Sequence, residues 1–484
     1  MANVNETMDL VKAAQSNPQA VDAITKSFTQ GTGLVAYDLE APAKLMVPVL
    51  TPLRNMTPRV KSNAGDTATR WKAITGINTS NIHAGVSEGN RGAVISDSVA
   101  DLTASYIGLG LENTATFESD YAAESFDDVK ARAVQNLLNS LMIKEEDTLL
   151  GGNSSVALGT TPTPTGSIVA GGSVTAATYK VICVALTYDG YRRSSVANGV
   201  VQQISRTNAD SSTDTINGGA AQKSAASADL TTATTNLTIS CAVADVKGAV
   251  AYAWFIGAAG AEHLQAITTK RTHVQSATLN TTSQLASALA SADYSRQNGY
   301  AFDGFLYSAF NSSSAYYRSL GSTLTADGKG GVTEINDVLG AYWDNLKLQP
   351  DAIWANREQV NDITAKCVGS ATSPFRFNLT AGTAQGSLVG GGKVTEYQSP
   401  VDSSIIPINI HPNMPAGLMM FTVKNLPYAL NNVGDVFRIK ARREYYQIEW
   451  PLRTRKYEYG CYVDEVFQHY FPVSLGILNN ITAG

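Results

Sequence analysis

The chain has 484 residues, 44% of them hydrophobic and 16% charged, with a formal net charge of −5. That length and balance suit two or three folded domains and a soluble chain, since no apolar run reaches the ~18 residues of a membrane helix. A mildly acidic chain without a lysine- or arginine-rich tail is not built to hold nucleic acid by neutralising phosphates. Its mixed-charge start, lacking an apolar stretch, predicts no secretory signal and hence synthesis and folding in the cytoplasm.

Residues 30–61 carry Pro42, Pro48, Pro52 and Pro58, which forbid long helices and predict an extended arm running over a surface. From Ala64 to about Ala123 the composition turns to Thr, Ser, Gly and Asn. There "ATRWKAI" and "TASYIGLGLENTATF" read as strands around a polar middle, "TSNIHAGVSEGNRGAV". A long two-stranded excursion is predicted. Isolated hairpins are marginal in water, so it rests either on a neighbouring chain or on its own domain, and composition does not choose between them.

Next, "SFDDVKARAVQNLLNSLMIKEEDTLLGGN" predicts a helix from Ser125 to Leu150, a rod of about 40 Å. Ser125 and Asp128 have capping-box spacing, and Phe126, Val129, Ala133, Val134, Leu137, Leu138, Leu141 and Met142 share one face. Gly151 and Gly152 end it. Glu145, Glu146 and Asp147 read as a solvated face rather than a carboxylate site.

Between Asn153 and Asn298, Ala, Ser and Thr dominate and charge thins. "TYKVICVALTYDGYRRSS" alternates into an Asp-Gly turn, and "TTNLTISCAVADVKGAVAYAWFIGAAGAEHLQAITTKRTHV" supplies at least three more short strands. This predicts an immunoglobulin- or fibronectin-like sandwich inserted into a surface loop. A Thr-Pro string forms its semi-stiff exit and "SQLASALASADYSRQN" its return. Tyr179, Tyr188, Tyr191, Tyr252, Trp254 and Phe255 are either its core or a sugar-binding stack. Cys183, Cys241, Cys367 and Cys461 are far apart. Free buried thiols are the main expectation and a Cys183–Cys241 bridge the lesser one.

After Asn298, "GVTEINDVLGAYWDNLKLQPDAIWANREQVNDITAKCVG" predicts two amphipathic helices around a short buried strand, joined at Gln349-Pro350. "GGGKVTEYQSPVDSSIIPINIHPNMPAGLMMFTVKNL" adds two or three strands and the turn "HPNMPAG", and "REYYQIEWPLRTRKYEYGCYVDEVFQHYFPVSLGIL" the last ones. The host is α+β. No enzyme is predicted, for His83, His263, His273, His411 and His469 are scattered without metal-ligand spacing. "SLVGGGKVTEY" has Ser387 and Val394 where a phosphate-binding loop needs Gly and Ser or Thr, and reads as a hairpin tip. "DGKGGVT" at Asp327 reads as a turn, "GYAFDGF" lacks a base or nucleophile partner, and no G-x-S-x-G elbow occurs. Catalytic, cofactor-binding and metal sites are all predicted to be absent.

In their order, "TPLRNMTPRV", "SEGNRG", "FDDVKARAVQNLLNSLMIKEEDTLLGG", "AFDGF", "PDAIWAN" and "INIHPNMPAGLMMF" make the chain resemble the major capsid proteins of tailed bacteriophages, the Hong Kong 97 fold. The resemblance implies an N-terminal arm (1–62), an extended loop (63–122), a spine helix (123–152), the inserted sandwich (153–298), a return of the peripheral domain (299–324), an axial domain (325–440) and C-terminal peripheral strands (441–484). It implies a structural protein that assembles with itself, as pentamers and hexamers, into an icosahedral shell around double-stranded DNA held without specific binding. The sandwich would be an outward decoration on its Thr-Pro stalk. Implied partners are a separate scaffold protein, a portal, decoration proteins and a host-surface glycan at the sandwich, with no membrane and no cofactor. The place is the virion capsid, reached from the host cytoplasm. The alternatives are a non-viral shell of the same fold and a glycan-binding surface adhesin.

Overall fold

In the computed structural model of the chain, the described residues are 44, 46–62, 65–78, 82–124, 126–232, 234–297, 299–313, 315–368, 393–428 and 430–484. The readings on Pro42 and residues 1–43, on the Ser125 cap, on Asn298 and on the glycines of 387–392 lie outside them.

The longest apolar repeat folds as a helix over Val129–Gly151, 23 residues and about 34 Å. It begins later than the Ser125 spacing predicts. Asp128 is the N-cap, accepting from the Lys130 and Ala131 amides at 3.1 and 3.0 Å, so a carboxylate meets the unpaired donors of that end directly. Leu137 and Leu141 pack on Tyr459, Cys461 and Val463 of a long antiparallel strand pair, Phe437–Glu449 and Lys456–His469. Those strands belong to a four-stranded sheet ordered Arg59–Lys61, Phe437–Glu449, Lys456–His469, Ile107–Thr116.

The described arm is not extended throughout. Pro52–Met56 forms one helical turn with proline at its start, where a missing N–H costs nothing. Arg59–Lys61 then pairs in parallel with Ile439–Ala441.

A second sheet has six strands, ordered Tyr316–Ser319, Gly476–Asn479, Met419–Thr422, Ala352–Ala355, Ile405–Ile410, Glu396–Gln398. Its strand Ala352–Ala355, within the predicted "DAIWAN", is wholly buried, and helices Thr333–Leu346 and Arg357–Val368 share a core with it. Gly476–Asn479 and Tyr316–Ser319, which the sequence grouped with peripheral segments, close this sheet instead. All four residues of Gly476–Asn479 are buried, as a strand covered on both faces must be.

Within 153–298, a sheet ordered Thr272–Gln275, Leu237–Ala242, Thr165–Val174 faces one ordered Ala261–Thr268, Ala251–Ala258, Thr178–Leu186, Leu230–Thr231. Val181, Cys183, Ile239, Cys241 and Trp254 fill the space between. Asp189-Gly190 turns no hairpin; it lies in a helical turn, Tyr188–Arg193, capped by Thr187. The Thr-Pro string is not a free stalk. Thr161 is buried, accepts from the Ala185 amide at 2.9 Å and donates its own amide to Gln222 O at 3.0 Å.

This sandwich is fused to the host. Tyr307 Oη accepts from the Tyr188 amide and donates to Gly248 O, both at 3.0 Å. Asn479 Nδ2 donates to Ala249 O at 3.0 Å, and Asn480 Oδ1 accepts from the Arg271 amide at 2.7 Å. Tyr188 belongs to the host core with Leu149, Phe305 and Phe437, and a Cβ on Gly151 would lie 2.1 Å from its ring. Tyr307→Phe removes two buried hydrogen bonds and is expected to cost about 1–3 kcal/mol, with Gly151→Ala costing more; urea unfolding of both variants checks this.

Candidate functional site

Among the described residues no group of His, Cys, Asp or Glu is arranged to hold a metal ion, and no helix is long and apolar enough to cross a membrane. All four cysteines are buried. Burial pushes the Cys241 thiol up to about 12 and the Cys367 thiol to about 11, so neither is an activated nucleophile. Asp327 Oδ1 accepts from the Lys329 and Gly331 amides at 2.7 and 2.8 Å, the turn that "DGKGGVT" predicts. Tyr179, Tyr188, Tyr252, Trp254 and Phe255 are core and Tyr191 is partly buried against it. The sugar-binding stack is therefore absent from these positions.

Two features stand out instead. The first is a buried acidic hub at the end of the spine helix, where a solvated face was expected. Ala133, Leu137, Leu141, Glu145 and Leu149 recur every fourth residue and all are buried, so Glu145 lies on the core stripe. Its side chain accepts from Arg54 Nε at 2.8 Å, and from Arg59 Nη1 and Tyr445 Oη. Arg59 Nη2 reaches on to the buried carboxylate of Glu465.

Glu146, the next residue, accepts from the Leu53 and Arg54 amides at 2.9 and 2.7 Å and contacts His411 Nε2 at 2.7 Å. His411 Nδ1 accepts from the Asn413 amide at 3.1 Å, so the ring is neutral and its Nε2–H is the donor. Asp147 turns a third way, accepting from Asn413 Nδ2 at 3.1 Å and Tyr188 Oη at 3.3 Å. Arm, C-terminal sheet, six-stranded sheet and sandwich thus converge on one helical turn.

The second feature is uncovered. Ala68–Asn78 pairs with Ser96–Ser105 as a two-stranded sheet that no other described strand joins. Ile74 and Val99 face each other across it, 68% and 56% exposed, and Ile77 is 61% exposed. Its base is anchored through buried Thr69, which accepts from Lys440 Nζ at 2.9 Å, and Trp71, edge-on to Tyr470. A cleft of about 880 Å³ adjoins it, lined by Trp71 and Leu102 of the hairpin and by Phe302 and Phe471 of the body. Met46, Val47 and Leu50, just before the arm's helical turn, are exposed as well.

No family model matches the chain, and no curated protein does. Among solved structures it is similar to the capsid of Myoviridae phage XM1, at 9% identity and TM-score 0.43 over 94% of this chain and 100% of that one. It is similar to the capsid of the empty GTA particle at 10% identity and TM-score 0.43, over 94% and 98% of the two chains. With the SrpI encapsulin of Synechococcus elongatus the values are 7% and 0.40, over 92% and 93%.

Two measurements probe the site. Glu146→Ala strands the His411 donor and two amides and is expected to cost about 3–5 kcal/mol in urea unfolding, whereas exposed Glu124→Ala should stay within about 0.5. Burial also pushes His469 down to about 3. The unfolded chain binds that proton near 6.5, so this contribution is complete above about 6.5 and is lost as pH falls toward 3, by up to about 1.4 kcal/mol per unit. His469→Gln should flatten that part of the stability–pH curve.

Proposed function

We propose that the chain is the subunit of an icosahedral shell of the Hong Kong 97 kind, a structural protein and not an enzyme. Copies assemble as pentamers and hexamers around double-stranded DNA, in a virion capsid built in the host cytoplasm. The carrying observation is the hairpin, about 35 Å of paired strand with both long edges unpaired among the described strands and apolar side chains outward. Such an edge invites pairing or burial by another chain, and a closed lattice of identical copies provides that at every position.

The remaining features fit this reading. A chain of net charge −5 packs DNA without gripping its phosphates. The seam through Tyr307 makes the sandwich, read as an immunoglobulin-like insertion, a rigid part of each subunit. Scaffold, portal and decoration proteins complete the reading; a glycan partner lacks its aromatic platform.

The test replaces the opposed pair, Ile74→Asp with Val99→Asp. Cryo-electron microscopy and sedimentation velocity should show shells from the parent chain with its scaffold and only small species from the variant, with the unfolding midpoint unchanged. Monomers from the parent under every condition, or shells from the variant, would contradict it. Shells that load protein and no DNA would be those of a non-viral container.

A further inference from the structure

Sheets end in edges, and natural sheets blunt theirs with charge, shortness or cover. The described edge strands follow that rule with one exception. Arg59–Lys61, Ile107–Thr116, Ala261–Thr268, Tyr316–Ser319 and Glu396–Gln398 each carry a charged residue, as do both strands of each two-stranded sheet. Thr272–Gln275 and Leu230–Thr231 have four residues and two.

The exception is Thr165–Val174 of the sandwich, ten residues reading "TGSIVAGGSV", without charge or proline. Its residues Thr165–Ala170 pair with Leu237–Ala242 on one side. On the other side no described group bonds their backbone. The run ends at Gly171, in the left-handed region at φ 110°, where the amides of Gly171 and Gly172 both turn to Asn236 O. The free edge is therefore the ~20 Å from Thr165 to Ala170.

The face beside this edge is uncharged as well. Ile168, Ile239 and Cys241 pack into the sandwich core, so their neighbours in sequence point outward. Ser167, Ser240 and Val274 form one row there, and Val169 and Thr238 the next. Val169 and Val274 are 55% and 58% exposed. The seam with the host lies at Gly248, Ala249 and Arg271 and includes no residue of this strand.

A row of unpaired backbone donors and acceptors is a template for another strand, and the composition selects which one. A contact with a different protein gains specificity from complementary charge, and this edge has none to offer. In an isologous contact the same residues meet about a two-fold axis, where like charges set across from each other are destabilising. An uncharged strand meets its own copy without that repulsion.

We propose that Thr165–Ala170 pairs antiparallel with the same segment of a second copy, joining two three-stranded sheets of the sandwich into one six-stranded sheet across a two-fold axis. The contact is small, so two single chains hold each other weakly, and it strengthens wherever other contacts already keep the copies side by side. It belongs to the sandwich and does not depend on the shell reading.

The experiment uses the full chain carrying Ile74→Asp and Val99→Asp, which removes the hairpin contact. Sedimentation equilibrium and amide exchange are followed from about 1 to about 500 µM, the range in which a contact this small becomes populated. A reversible monomer–dimer equilibrium is expected, with alternate amides of Thr165–Ala170 gaining protection as the dimer forms. Adding Val169→Lys or Val169→Glu should weaken the dimer at least about fivefold, because the two-fold brings like charges together. An equimolar mixture of the two should recover it, which a merely misfolded sandwich would not do. Monomers at every concentration, dimers whose Thr165–Ala170 amides stay unprotected, or a mixture no tighter than either charged variant alone would overturn the proposal. Shells of the parent chain in which those amides exchange as fast as in the monomer would overturn the pairing and leave the shell reading standing. Protected dimers from a parent that never forms shells would do the reverse.

Discussion

Consecutive residues of an α-helix point about 100° apart, so three acids in a row at the buried end of a helix cannot serve one partner. Glu145, Glu146 and Asp147 take three. Glu145 holds the arm and the C-terminal sheet, Glu146 the arm's first amides and His411 of the six-stranded sheet's turn, and Asp147 the Asn413 side chain and the sandwich through Tyr188. Segments hundreds of residues apart in sequence are thereby fixed around one turn. Buried ion pairs add little net stability over a packed apolar core, but breaking one is costly, so the hub specifies where the arm and turns sit more than it raises their stability.

That arrangement divides the molecule into covered and uncovered surface. The spine, both large sheets and the sandwich bury their apolar faces on one another, and the arm places Leu53 fully inside. What remains is the hairpin beyond its Thr69 anchor. Its Ile74–Val99 pair is largely exposed, and no other described strand pairs with its edges. The proposed role as a shell subunit accounts for this asymmetry: a packed body, and a limb whose burial comes from another copy.

Elements governed by local pattern were legible in the sequence. The apolar repeat of the spine helix and the "DAIWAN" strand between two helices follow from periodicity, but of the hairpin only "ATRWKAI" does: its partner is Ser96–Ser105, and most of "TASYIGLGLENTATF", Ile107–Thr116, pairs instead with Lys456–His469 in the four-stranded sheet. Misreadings arose where a distant partner decides the outcome. Glu145 and Glu146 look like solvent-facing charge until Arg54, Arg59 and His411 arrive from elsewhere in the chain, although the four-residue spacing from Leu137 and Leu141 marked Glu145 as inward. The Thr-Pro string looks like a spacer because Ala185 and Gln222, which bind it, lie far ahead. Tyr188 looks like a sugar platform until the host core covers it. The two carboxyls around Arg59 are 320 residues apart by number, 145 against 465, and no spacing rule could join them.

The central claim, that the hub completes the body while the hairpin waits for a second copy, is tested most directly by amide hydrogen exchange on the unassembled and the assembled protein. Amides of Leu53, Arg54 and the spine around Glu145 should exchange slowly in both. Those of Ala73–Asn78 and Ser96–Ala100 should exchange fast in the single chain and become protected only on assembly. Slow exchange along the whole hairpin in the single chain, equal to that of the spine, would contradict the account.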